Sequence, residues 1–323
     1  MLRLPAFDLK SPSSIEEALS LLAEHGDEAM LIAGGTDVLP NMKHELHTPK
    51  VLVSISGVDE LKTTDFTGET WWIGAGCTLH DLAEEKALAA RFPALAEALR
   101  GIAGPHHRRM ATIGGNLCLD TRCVYYNQTF FWRQALGFCL KIDGDICHVA
   151  GGRKCVAAAS NDSAPALIAY DAVVEIAGPA GRRTVPIAQF YRPDGVKNTC
   201  LEPGELVLGL HLPIPAAGSR SAFTKLRRRD AIDFPLLNMA VRVDCDEAGV
   251  VQDLRVAVSA LSARPNVVRG LDKLVGKTWD EDLIEAVVKR SQKGSVPLTN
   301  ITTDPAWRRA MVPVLVRRLL KTC

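Results

Sequence analysis

The sequence predicts an α+β fold split into more than one domain, and three observations carry that expectation. Strand-like runs such as "AMLIA" (29–33) end directly on glycine turns, segments of helical periodicity stand between them, and the tail passes from alternating strands to two helices. With 323 residues, 47% of them hydrophobic, the chain can bury two or three cores.

In chain order, Ser13 and Glu16 have the spacing of a capping box, and Ile15, Ala18, Leu19 and Leu22 recur at helical intervals until Gly26 supplies a stop. "AMLIA" then reads as a buried strand running into "GGTD", and "VLVSIS" (51–56) and "WWIGAG" (71–76) as further strands. Leu79, Leu82, Leu95, Ala98 and Leu99 predict two helices over 78–102, broken near Pro93. A second glycine turn, "ATIGGN" (111–116), follows. "APALIAYDAVVEIA" (164–177) changes from helix to strand, "ELVLGLHLPIP" (205–215) closes as a strand, and a linker is expected at 215–219. Beyond it, "AVRVDCDEAGVVQDLRVAVSAL" (240–261) alternates around an acidic turn before helices near 280–292 and 305–320. Internal repeats and low-complexity stretches are absent.

Thirty-eight basic and thirty-seven acidic side chains leave a net charge of +1, which provides no electrostatic footprint for nucleic acid or anionic lipid. The start, "MLRLPAFDLKSPSS", lacks the apolar core of a secretory signal, and no run approaches the roughly 18 apolar residues of a membrane span. A cytoplasmic location is therefore expected. There, nine cysteines point to metal or redox chemistry more than to a disulfide framework. Cys77, Cys200, Cys245 and Cys323 are scattered and read as small hydrophobes or chance thiols; the other five fall between 118 and 155.

The two glycine turns let a phosphate approach the backbone, where freed amides can donate to its oxygens. Each alone most often marks only a tight turn, and neither has Rossmann or P-loop spacing. As a pair they suit a pyrophosphate held between them.

On "LIAGGTDVLPNMK" (31–43), "ATIGGNLC" (111–118), "NDSAPALIAYDAVVEI" (161–176), "RRRDAIDFPLLNMAVRV" (227–243) and "AWRRAMVPVLVRRLL" (306–320), the chain resembles the FAD-binding medium subunits of molybdenum hydroxylases, related to xanthine dehydrogenase and carbon monoxide dehydrogenase. The resemblance covers nearly the whole chain. It implies a two-part FAD-binding α+β module of the PCMH or vanillyl-alcohol-oxidase-like type over 1–216. A smaller α+β C-terminal domain of the CO dehydrogenase flavoprotein type would follow over 217–323. Carried over by position, Leu31 and Ile32 line the flavin site, and Ala33, Gly34, Gly35, Thr36 and Asp37 form the first turn that binds FAD. Thr112, Gly114, Gly115 and Asn116 form the second, and Asp162 contacts the adenosine part. The chain departs from the family pattern at "DFPLL", so no contact is carried over to Pro235 or Leu236. His106 and His107 read as turn or surface histidines.

Compared with the family, the chain inserts roughly 40 residues, about 119–158, between "TIGGNLC" and "NDSAPAL", far beyond an ordinary connection. Cys118 belongs to the shared motif; Cys123, Cys139, Cys147 and Cys155 lie within the insertion. Four thiolates meet the ligand demand of a [4Fe-4S] cluster, and "YYNQTFFW" supplies apolar bulk to shield one. The spacing C-x15-C-x7-C-x7-C is neither a ferredoxin pattern nor that of a zinc site with close pairs. A cluster, a structural zinc ion and free thiols all remain open on the residues alone; a redox centre beside a flavin favours the first.

A medium subunit with an extra cysteine loop resembles the β subunit of 4-hydroxybenzoyl-CoA reductases. That resemblance implies electron transfer from a low-potential donor such as ferredoxin, and partnership with a molybdopterin-binding large subunit and a [2Fe-2S] small subunit in a dimer of heterotrimers. No catalytic acid or base is expected on this chain. The alternatives are an ordinary hydroxylase medium subunit passing electrons outward, with the loop structural or zinc-binding, and a nucleotide-binding scaffold without redox function.

Overall fold

The computed structural model describes residues 2–323. Three sheets follow one another along the chain. The first contains β1 (Asp8–Lys10), β2 (Ala29–Ile32) and β3 (Val51–Ser54), all parallel, in the order β1-β3-β2. Helix α1 (Ile15–His25) makes the crossover between β1 and β2 and buries Ile15, Ala18 and Leu22. Its cap lies one residue later than the sequence suggests. Ser14 accepts from the Glu17 amide, while Ser13 donates to the Glu17 carboxylate, so Glu17 closes the box in place of Glu16. Short helix α2 (Val38–Lys43) starts immediately after the first glycine turn.

The second sheet is antiparallel, in the order β4-β5-β8-β6-β7, from β4 (Thr64–Asp65), β5 (Thr70–Gly74), β6 (Val173–Gly178), β7 (Gly181–Pro186) and β8 (Leu206–Pro213). Three helices cover it where two were expected: α3 (Leu79–Glu84), α4 (Lys86–Arg91) and α5 (Pro93–Gly101). The Glu85 side chain caps α4 and divides the first expected helix, and Pro93 starts α5 at a position where its missing N–H costs nothing. Helices α6 (Pro105–Arg108) and α7 (Ile113–Leu117) lead to the insertion, whose one helix is α8 (Phe130–Ala135). Helices α9 (Ser163–Ala169) and α10 (Ile187–Phe190) complete this part. "ATIGGN" is more than a turn: Thr112 caps α7 by accepting from the Gly115 amide at 3.1 Å. The strands β1 and β7 carry too little apolar alternation to be read from sequence.

The third sheet, β12-β11-β10-β9, comprises β9 (Arg220–Leu226), β10 (Leu237–Cys245), β11 (Val251–Ser259) and β12 (Asn266–Val267). Both its faces are covered. Met239, Val241 and Val243 pack against α11 (Glu281–Lys293) and α12 (Pro305–Thr322), while Phe223, Ala240 and Ala257 join the core formed by α5 and α9. The period-2 pattern thus separates two cores instead of core from solvent. Arg242, on the inner face, donates to the Ala169 carbonyl and pairs with Asp171 and Asp253, which ties the C-terminal sheet to the preceding part. Among the described residues, no helix is long and apolar enough to cross a membrane.

Candidate functional site

Close packing of backbone on backbone brings the two glycine turns together. A Cβ on Gly34 would lie 1.7 Å from the Met110 carbonyl oxygen, so only glycine lets the first turn touch the segment entering the second. Gly35, at φ +69°, turns the chain from β2 towards α2, and the Gly35 carbonyl accepts the first helical bond, from Leu39. In the second turn, a Cβ on Gly114 would lie 2.6 Å from Ala75 Cβ, while the Gly114 amide bonds to the Ala75 carbonyl. Gly115 is exposed. Leu31, Ala33, Gly34, Gly35, Thr36 and Asp37 are half-buried and Ile32 is buried.

Asn116 and Asp162 are both spoken for by the protein itself. Asn116 Oδ1 accepts from the Ser163 amide at 3.2 Å and its hydroxyl at 2.5 Å, which fixes α7 against the start of α9. The Asp162 carboxylate is buried; Lys225 Nζ donates to it at 2.6 Å and Asn238 Nδ2 at 3.0 Å. Both partners belong to the C-terminal sheet, so Asp162 joins the two parts of the fold. Asp37, at the end of the first turn, pairs with Arg122 and accepts from Asn41 Nδ2 at 3.0 Å.

The second feature is the cysteine insertion. Cys123, Cys139, Cys147 and Cys155 are free, at most 9% exposed, and together line one small cavity with Tyr125, Tyr126, Lys141 and His148. Residues far apart in a loop have converged on one space. Burial pushes the Cys123 thiol up to about 11, with the neighbouring cysteines adding to the rise, and burial likewise raises Cys155. A cation in the cavity would reverse that cost, because thiolates are its ligands. Among the described residues, no three or more His, Cys, Asp or Glu side chains close on a point where a single metal ion would be held. Cys118 lies outside the cavity at the C-terminal end of α7. His106 and His107 are exposed on α6.

Sequence reading missed the charged residues that support this loop. Lys141, its ammonium nearly buried, donates to Asp120 at 2.5 Å and to the Gly195 carbonyl at 2.8 Å, and lies 4.4 Å from the Tyr126 ring centroid. His47 approaches Asp120 at 4.0 Å, and burial pulls its pKa down. Arg133 is 1% exposed within "FFWRQ". A cation inside an aromatic run was the available signal.

An α+β module with two apposed glycine turns, closed by a second sheet domain, defines a nucleotide-cofactor-binding protein. The FAD binding domain in molybdopterin dehydrogenase matches residues 5–215, and the CO dehydrogenase flavoprotein C-terminal domain matches 221–323. The carbon monoxide dehydrogenase medium chain of Hydrogenophaga pseudoflava is 30% identical over 319 residues, covering 98% of this chain and 96% of that one. An aldehyde oxidoreductase FAD-binding subunit, PaoB of Escherichia coli, is 33% identical over 279 residues, covering 83% and 85%. Among solved structures, the carbon monoxide dehydrogenase of H. pseudoflava lacking the Mo-pyranopterin moiety superposes with a TM-score of 0.82 at 28% identity, covering 99% of this chain and 98% of that one. The chain belongs to the FAD-binding medium subunits of the xanthine dehydrogenase and CO dehydrogenase family of molybdenum hydroxylases. It is thus an oxidoreductase subunit with FAD as its cofactor.

Proposed function

We propose that this chain is the FAD- and [4Fe-4S]-carrying electron-transfer subunit of a molybdenum-containing reductase of the 4-hydroxybenzoyl-CoA type. The observation that carries the reading is the convergence of Cys123, Cys139, Cys147 and Cys155 on one cavity. Four thiols lining one cavity match the ligand count of a cluster in which each iron takes one cysteine. Bound together, the two groups would supply one- and two-electron chemistry, linking a low-potential donor such as ferredoxin to the [2Fe-2S] clusters of a small subunit and the molybdenum of a large one.

The chain's own residues do the holding. Residues 1–216 form the FAD-binding part in this reading, and 217–323 close it. Backbone amides at Gly34–Thr36 would face the diphosphate; those of Gly114, Gly115 and Asn116 are held by Ala75 and Thr112, which fixes the second turn as the opposite wall of the site. Asp162 serves by locking α9 to the C-terminal sheet, with the adenosine held nearby. Tyr125, Tyr126, Leu140 and Val149 keep water from the cysteine sulfurs. Reductive dehydroxylation of an aromatic thioester would take place on the large subunit.

A second reading is favoured by the relatives' names, which are those of dehydrogenases and an aldehyde oxidoreductase. In it, electrons leave outward and the insertion is a zinc staple. Metal and acid-labile sulfide analysis of the anaerobically isolated subunit separates the two. About four iron and four sulfide per chain are expected, and Cys→Ser at any of the four positions should abolish them. Zinc without sulfide would overturn the cluster and leave the hydroxylase reading.

A further inference from the structure

Two arginines of the insertion reach the segment that runs from the first glycine turn through α2. Arg122 stands next to Cys123 in the chain and pairs with Asp37, the last residue of the first turn; its other terminal nitrogen donates to Asn41 Oδ1 at 3.3 Å. Arg133 is buried in the insertion and donates to the carbonyls of His44 and Glu45, each at 3.0 Å. These are carbonyls at the C-terminal end of α2, where Glu45 adopts φ +55°. Leu46 follows directly, and its side chain packs in the same apolar cluster as Cys123, Cys139 and Cys155. The helix behind the first turn is therefore gripped at both ends by the loop that carries the cysteines.

That grip has a physical consequence. Helix α2 has six residues, too few to be stable by itself, and the loop around Glu45 contains a strained non-glycine residue. Its position depends on outside contacts, and the insertion supplies charge-assisted ones. The insertion in turn has one short helix and otherwise turns, so whatever fills the cysteine cavity fixes where Arg122 and Arg133 stand. We propose that the insertion is a positioning element for FAD, acting through Arg122 and Arg133 on α2, so that FAD affinity depends on whether the cysteine cavity is filled. By linkage, FAD in turn strengthens retention of the group in the cavity. The coupling rests on the filled cysteine site proposed above; the positioning role of the arginines does not.

The test uses the intact complex, purified anaerobically, stripped of flavin and titrated with FAD by fluorescence quenching, with iron and sulfide measured in parallel. Arg133→Met and Arg122→Met should each weaken FAD binding about tenfold, within the usual range of coupling between sites. Arg133→Lys, which keeps charge and a donor, should restore part of the loss. Cys139→Ser should weaken FAD binding although Cys139 is not in the cradle, and adding Arg133→Met to it should weaken FAD by less than the product of the two effects. FAD dissociation constants within twofold of wild type for both Met variants would overturn the positioning role, as would a Lys variant no better than Met. Should Arg133→Met fail to fold, Arg122→Met and Arg133→Lys decide on the same criteria. A Cys139→Ser chain that binds FAD normally, or full multiplicativity in the double variant, would overturn the coupling. Failure of the cluster reading shows separately, as wild-type protein without site iron whose arginine variants still lose FAD.

Discussion

Single atoms decide the two glycines that matter most. Gly34→Ala would drive a Cβ into the Met110 carbonyl at 1.7 Å, and since both partners are backbone, the turns must separate. We expect purified Gly34→Ala to carry a flavin-to-protein ratio well below wild type, read from the visible spectrum. Gly195 plays the corresponding part at the cysteine cavity: a Cβ there would lie 2.6 Å from Cys155 Sγ and 2.8 Å from the Ala157 amide nitrogen. If the cavity holds the proposed cluster, Gly195→Ala should therefore reduce site iron and, like Cys139→Ser, weaken FAD binding with it. "GGTD" and "TIGGN" announce themselves as glycine turns, whereas Gly195 stands in an ordinary loop sequence. Nothing local distinguishes a glycine that meets another part of the chain from one that closes a turn.

At the level of elements, caps and buried ends set the energies. Thr112→Val removes the side-chain acceptor that starts α7 and should cost about 1 kcal/mol; it should also weaken FAD binding, because the second turn is no longer fixed opposite the first. Helix α12 depends on Arg308, fully buried and donating to the carbonyls of Leu236, Leu298 and Ala260. Replacing it with Met leaves three acceptors without donors, and we expect urea denaturation to report a loss of about 2–4 kcal/mol. The arginine-rich texture of this helix is visible in sequence, but not what a buried arginine there would bond to. Spacing from Val312, Leu315 and Leu319 puts position 308 on the inner face, but the three carbonyls that meet its charged head come from distant segments.

For the molecule as a whole, the join between its two parts is charged. Asp162 lies buried against Lys225, and burial holds its carboxyl above the usual carboxylate range even with that partner present. Lys225→Met would strand a buried carboxylate, at a cost of about 3–5 kcal/mol near neutral pH. The sign follows from linkage. A carboxyl with a raised folded pKa favours the folded state while protonated and loses that contribution as pH rises through the folded value. The deficit of the variant relative to wild type should accordingly shrink as the pH is lowered, and thermal melting across that range checks it. The insertion bridges the same two parts, since Val124 bonds to the Asn300 carbonyl and Asn300 Nδ2 donates to the Val156 carbonyl at 2.6 Å.

The sequence by itself determined the α+β class, the two glycine turns, the family and the four cysteines, because each is written in local spacing, residue type or shared motif. Tertiary structure decided the rest. It set the glycine turns in contact, turned Asn116 and Asp162 inward to hold the fold, drew four distant cysteines around one cavity, and placed Arg122 and Arg133 on the helix behind the first turn. The physical reason is the same in each case: a backbone approach, a buried ion pair or a shared cavity belongs to residues distant in the chain, and no short window of sequence records which of them will meet.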